Sequence, residues 1–75
     1  SAKSYMGLYQ IIDIRPDEGF LLRDLLEDCD IEVFDRTATR YLVQWDIVAA
    51  PLLEINDQLQ FSGGLFPFRP DENEA

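Results

Sequence analysis

The sequence predicts an all-β domain, a small antiparallel barrel or sandwich of five to six strands. Three observations predict it. Residues 41–68, YLVQWDIVAAPLLEINDQLQFSGGLFPF, hold two apolar-rich runs on either side of Asn56-Asp57, the pattern of a β-hairpin. Short strand-like runs recur elsewhere between Gly, Pro and Asp turns. A chain of 75 residues has room for one modest core, and a sheet closed on itself leaves no bare edge.

The hairpin organises the rest. Asn and Asp tolerate the positive φ that a type I′ turn needs at both central positions. Such a turn sets Ile55 opposite Gln58, Glu54 opposite Leu59 and Leu52 opposite Phe61. Val48, Ala50, Leu52, Leu59 and Phe61 then share one face; Ile47, Ala49, Leu53 and Ile55 share the other with Gln58 and Gln60. The first strand is apolar on both sides, so its second face is expected to be central or covered. Pro51 cannot donate to a ladder and marks an edge or a bulge, as where a strand bends round a barrel.

Upstream, residues 5–15 alternate as a strand. Met6, Leu8, Ile12 and Ile14 fall on one side, Tyr5, Tyr9, Ile11 and Asp13 on the other, with Gln10 the one violation. Arg15-Pro16-Asp17-Glu18-Gly19 reads as a turn in which Pro16 presets φ and Gly19 takes the left-handed close. Residues 20–28 are ambiguous. Leu21, Leu22, Leu25 and Leu26 recur at helical spacing, while Phe20, Leu22 and Leu26 equally line one face of a strand. Residues 31–36 form a clean strand pattern, 37–40 a polar connection, and 41–43 a short strand leading to Trp45. Ser62-Gly63-Gly64 breaks the hairpin's second strand and lets residues 65–68 fold back, with Phe66 and Phe68 capping the barrel. A polar lead (1–4) and an acidic tail (69–75) flank a single domain, 1–75, of SH3-like or OB-like size.

Composition narrows the function classes. A net charge of −9 without His disfavours polyphosphates and anionic membranes, and favours solubility and basic partners. A hydrophobic content of 47% argues against disorder. Cys29 stands alone, so the fold does not depend on an oxidising compartment, and a cytoplasmic location is expected. No run reaches the ~18 apolar residues of a membrane helix, and no signal peptide is read at the start. The chain opens Ser-Ala, without Met, as an excised domain would.

GFLLRDLLEDCDIEVFDR (19–36), ATRYLVQWDIVAAPL (38–52) and SGGLFPF (62–68) resemble a small β domain of uncharacterised prokaryotic proteins, some of which also carry a SEC-C zinc-binding motif. The Leu-Arg-Asp-Leu-Leu run, the Trp-Asp step and the Gly-Gly-x-x-Pro-Phe close are its most specific parts. The resemblance implies a strand over 20–26, paired with 31–36 across a turn at 27–30, which breaks the helix/strand tie. The SEC-C motif needs several Cys, and this chain has one Cys and no His, so no zinc site carries over.

The residues that can carry chemistry each have a plainer reading. Cys29 lies among Glu27, Asp28 and Asp30, carboxylates that suppress a thiol's nucleophilicity, and no His activates it. A turn cysteine is the simpler account. Asp28, Asp30 and Glu32 begin a calcium-loop spacing, but Val33 and Thr39 stand where that loop needs Gly and Glu, leaving a solvated acidic turn. Asp13, Asp24, Asp35 and Asp46 are embedded among apolar residues, and a converging pair can do the acid/base work of a hydrolase. Ion pairs for Asp24 and Asp35, and turn N–H groups for Asp46, explain them more simply. Arg36, Thr37, Thr39 and Arg40 offer two guanidinium groups and two hydroxyls to a phosphate or carboxylate, with Phe34, Tyr41 and Trp45 nearby to stack bases. Against that stand the net charge and the core's need for aromatics at strand positions.

The sequence therefore suggests no catalytic, cofactor-binding or metal residues. It suggests a non-enzymatic interaction or accessory domain that self-associates or docks to a protein partner through Leu53, Ile55, Leu65, Phe66 and Phe68. The alternative is a small single-stranded nucleic-acid binder using Arg36, Arg40, Arg69 and the aromatics.

Overall fold

The computed structural model describes residues 4–68, with side chains over residues 6–68. The described residues form β1 (Ser4–Arg15), β2 (Gly19–Asp24), β3 (Cys29–Phe34), a 3₁₀ turn (Ala38–Arg40), β4 (Ile47–Ile55), β5 (Gln58–Phe61) and β6 (Phe66–Phe68). The polar lead ends by Ser4, which already pairs with Leu53; the acidic tail and Arg69 lie outside the described residues.

β1, β2 and β3 form an antiparallel meander. Residues 35–46 then carry the chain back so that β4 lies antiparallel beside β1, a Greek key. β5 hairpins off β4 and closes the ring on β3 through a parallel pair, Val33 with Leu59. The result is a closed five-stranded mixed barrel with β6 added on the edge of β4. The all-β barrel is as expected. Its one departure, the parallel seam, follows from the Greek key, which returns β5 to β3 running the same way.

β1 is long enough to serve two neighbours: residues 9–15 pair with β2 and residues 4–10 with β4. A bulge between Ile11 and Asp13 inserts Ile12. The Ile12 carbonyl, displaced from the ladder, accepts the Gln44 side-chain amide at 2.9 Å. Before the bulge Tyr9 and Ile11 are buried in the core, while Met6, Leu8 and Gln10 alternate on the outer face; beyond it Ile14 packs against the core. The simple alternation had grouped Ile12 and Ile14 with Met6 and Leu8. The extra residue separates them, so Gln10, out of phase in the sequence pattern, continues the outer face of Met6 and Leu8.

Each hairpin turn uses a residue that tolerates positive φ. The β4–β5 loop has Asn56 at 52° and Asp57 at 64°, the type I′ turn expected, with Ile55 opposite Gln58, Glu54 opposite Leu59 and Leu52 opposite Phe61. In the β1–β2 turn the Glu18 N–H donates to the Arg15 carbonyl at 3.0 Å, and the left-handed residue is Asp17 at 61°, not Gly19. Gly19 is needed for space instead: a Cβ there would sit 2.0 Å from the Val33 carbonyl oxygen. In the β2–β3 turn the Asp24 carboxylate accepts the N–H groups of Leu26 and Glu27 at 2.9 and 3.0 Å, and Asp28 takes φ 57°. The strand implied over 20–26 therefore ends at Asp24, and the turn falls two residues earlier than expected, leaving Leu25 and Leu26 exposed.

Pro51 sits opposite Met6 in the middle of β4. Having no N–H, it occupies a pair that exchanges no ladder bonds with β1, and its carbonyl accepts the Ser62 N–H at 3.0 Å. Residues 62–65 stand opposite only Pro51 and Ala50, because Phe61 pairs with Leu52 and Phe66 with Ala49. Pro51 thus marks a bulge, as its sequence position predicted.

Inward residues of every barrel strand meet in one core, centred on the fully buried Phe20, Ile11, Leu22, Val33 and Val48. The Phe20 and Phe61 rings meet edge to face at 5.9 Å. The short strand expected at 41–43 is not formed. Asp35 Oδ1 accepts the Ala38 N–H at 3.0 Å and starts a 3₁₀ turn, and the N–H groups of Tyr41 and Leu42 both donate to the Ala38 carbonyl. Ala38 and Leu42 are buried while Tyr41 and Val43 face out, so coiling lets this connection add to the core.

Candidate functional site: the outer face of β1, β4 and β6

The barrel's outer side carries an apolar face across three strands. Register builds it row by row. Gln10, Ile47 and Phe68 stand side by side, then Leu8, Ala49 and Phe66, then Met6 and Pro51, with Leu53 further along β4. All belong to the side opposite the buried Val48, Ala50 and Leu52. None of these side chains is charged. Met6, Phe66 and Phe68 are about 60% exposed, at 61%, 60% and 60%.

This arrangement corrects one expectation. Phe66 and Phe68 do not cap the barrel; they form a strand on the free edge of β4 and point outward. The reason is the bulge at residues 62–65, which resets the register without turning the chain back, so β6 continues along the edge that β5 left. Of the other interface candidates, Leu53 is half-buried on the outer face, Ile55 is exposed at the end of β4, and Leu65 packs against the core.

Trp45 stands at the end of this face, two residues before Ile47. Its N–H donates to the Ile11 carbonyl at 2.7 Å, and its carbonyl accepts the Gln10 side-chain amide at 3.4 Å. It closes a turn in which the Asp46 N–H donates to the Val43 carbonyl, and its φ is 77°. That conformation costs a bulky L-residue about 1–2 kcal/mol. The indole is nevertheless 59% exposed, so the core does not explain it. Tyr41 and Phe34 are exposed as well, which removes the expectation that the core claims these aromatics.

The polar loop is tied down internally. The Thr39 hydroxyl donates to the Arg36 carbonyl at 2.6 Å and accepts the Asp17 N–H at 3.1 Å, while Arg40 pairs with Asp17 at 3.4 Å. Elsewhere Arg15 pairs with Glu32 and Arg23 with Asp30, both at 2.7 Å. The hydrogen bond that Arg23 donates to Asp30 raises the Arg23 pKa further above its already high value. Among the described arginines, Arg36 alone lacks an ion pair.

Of the carboxylates singled out from sequence, Asp24, Asp35 and Asp46 serve local structure, the first two through their turns and not, among the described residues, through the ion pairs expected of them. Asp24, Asp35 and Asp46 accept backbone N–H groups of their own turns, and Asp46 Oδ2 takes that of Val43 at 3.0 Å, as expected of it. Asp30 and Glu32 face arginines rather than one another. Among the described residues no group of three His, Cys, Asp or Glu is placed to hold a metal ion, and no helix is long and apolar enough to cross a membrane. Cys29 is exposed at the start of β3. No protein-family model, no curated protein and no solved structure matches this chain.

The sequence missed how the face is composed. Leu53, Phe66 and Phe68 stood out in the sequence as interface candidates, though the phenylalanines were also expected to cap the barrel. Met6 and Leu8 were hidden by the β1 bulge, whose only signal was the misplaced Gln10.

Proposed function

We propose that this chain is a non-enzymatic interaction domain, an accessory module of a prokaryotic protein, that associates with a second copy through the outer face of β1, β4 and β6. One observation carries the reading: an uncharged apolar face, three strands wide, lies outside the core with its largest side chains about 60% exposed. The face has a furrowed profile. Ala49 and Pro51 run down its middle, between Phe66 and Phe68 on one side and Met6 and Leu8 on the other. A two-fold rotation sets the phenylalanine ridge of one copy in the furrow of the other. A net charge of −9 opposes self-association over most of the surface, and an uncharged face is where two copies meet without opposing like charges. The strained, exposed Trp45 at its end supports the same reading, since local strain persists where function uses it. A reducing, cytoplasmic setting is in keeping with the lone Cys29.

Light scattering over a concentration series tests this. The chain is expected to show concentration-dependent dimers, and Phe66→Ser to remain a monomer with an unchanged circular dichroism spectrum, because Phe66 lies outside the core. A wild-type chain that stays monomeric at high concentration contradicts it.

A second reading rests on the barrel itself. A five-stranded Greek-key barrel is the architecture of oligonucleotide-binding domains, and Phe34, Tyr41 and Trp45 are exposed for stacking. Three ion-paired arginines and the charge of −9 make it the weaker one. Fluorescence anisotropy with mixed-sequence oligonucleotides at low salt decides it: no binding there removes the reading.

A further inference from the structure

A cleft of about 400 Å³ opens where β1 runs past the β2–β3 turn, lined by Met6, Gly7, Tyr9, Asp24, Leu26 and Glu27. Its floor is Tyr9, whose residue surface is only 5% exposed. The phenol end lies over Gly7, since a Cβ at that position would fall 2.2 Å from the hydroxyl oxygen. Burial and the charges of Asp24 and Cys29 are what act on that oxygen, with no hydrogen bond to a described residue among them. Every fully buried side-chain polar atom among the described residues is hydrogen-bonded, so the Tyr9 hydroxyl reaches the cleft. The ring is thus buried while its hydroxyl stays open to a ligand entering the cleft.

The surroundings define what it receives. One oxygen of Asp24 holds the Leu26 and Glu27 N–H groups, which leaves the other free, and the Glu27 side chain is exposed. Nearby Asp24 also raises the Tyr9 pKa, after burial itself, so the phenol stays neutral and able to accept a hydrogen bond. Met6 and Leu26 give apolar walls. Three acceptors at the end of an apolar slot match the three N–H donors and the methylene stem of an alkylammonium group. A calcium ion takes six to eight oxygen ligands, more than the side chains of this cleft supply.

We propose that this cleft binds an alkylammonium ion, presented as a lysine side chain of a partner protein, with the ammonium on Tyr9 Oη, Asp24 and Glu27 and its stem on Met6 and Leu26. The cleft shares Met6 with the face proposed above for self-association, but its acceptors Tyr9, Asp24 and Glu27 lie off that face, so the site stands without it.

The test is a titration of the ¹⁵N-labelled chain at low salt with a capped Ala-Lys-Ala peptide, its norleucine counterpart, and 1,5-diaminopentane. The lysine peptide is expected to shift the amides of Met6, Gly7, Leu26 and Glu27 saturably, and the norleucine peptide to leave them in place. Tyr9→Phe removes only the oxygen and is expected to weaken binding about tenfold, the scale of a hydrogen bond to a charged group. Glu27→Gln, at an exposed position, is expected to weaken it about two- to fivefold. Equal response to norleucine, shifts spread over the whole acidic surface, or undiminished binding by Tyr9→Phe overturns the site. Binding of the diamine as tight as that of the peptide overturns the partner-protein source and assigns the site to free amines.

Discussion

Single residues divide into those the backbone demands and those it merely permits. Gly19 is demanded, because β3 passes so close that any side chain meets the Val33 carbonyl. Gly19→Ala is therefore expected to lower stability by about 3 kcal/mol, the upper range for overpacking, in a urea titration. Trp45 is the opposite case, a side chain whose backbone would be better served by glycine. Trp45→Gly is expected to leave stability unchanged or raise it by about 1 kcal/mol while weakening association, read by denaturant midpoint and light scattering. Tyr9 gives a pH dependence. Burial, then Asp24, then Cys29 disfavour its ionisation, so its folded pKa lies above its unfolded one. The unfolded chain then releases this proton first as pH rises past about 10, and stability falls there. Tyr9→Phe is expected to lose that alkaline fall, read as the urea midpoint against pH.

At the level of elements, the hairpin was fully legible. Alternating apolar residues around Asn-Asp fix both turn type and register, and each pair matches the structure. β2 was not legible locally, since Leu21, Leu22, Leu25 and Leu26 satisfy both periods; Asp24 ends the strand by capping a turn, and no periodicity reports that. β1 was read as one uniform strand because a bulge leaves a polar residue out of phase and nothing else. β6 was expected to be a flap, because Gly63-Gly64 signals a break but not its size: two extra residues shift a register, whereas more would turn the chain back. The candidate site was half legible for the same reason. Its β4 and β6 residues stood out by composition, and its β1 residues depended on the bulge. β4 itself, apolar on both faces, is the central strand of the molecule, paired with β1, β5 and β6. Its inner face is set by the core: Phe20→Ala, which leaves the Phe61 ring beside a cavity, is expected to cost about 3–5 kcal/mol in the same urea titration.

On the scale of the whole molecule, a chain of 75 residues closes one small barrel and still leaves ten large hydrophobic residues exposed among the described residues. Three of them, Met6, Phe66 and Phe68, share the uncharged face, with Trp45 at its end. The acidic residues that pair with arginines lie on β3 and in the β1–β2 turn instead. Charge therefore keeps most of the surface apart from its copies while one face is free to meet them. The lone tryptophan reports on that meeting, and its emission is expected to move to longer wavelength on dilution as the indole is released to water. The most direct measurement is an isotope-filtered NOE experiment on a mixture of labelled and unlabelled chains. Contacts between the Phe66 ring of one copy and the Ala49 or Met6 methyl of another are the predicted result; intermolecular contacts confined to another face, or none at concentrations where the chain is intact, would contradict the account.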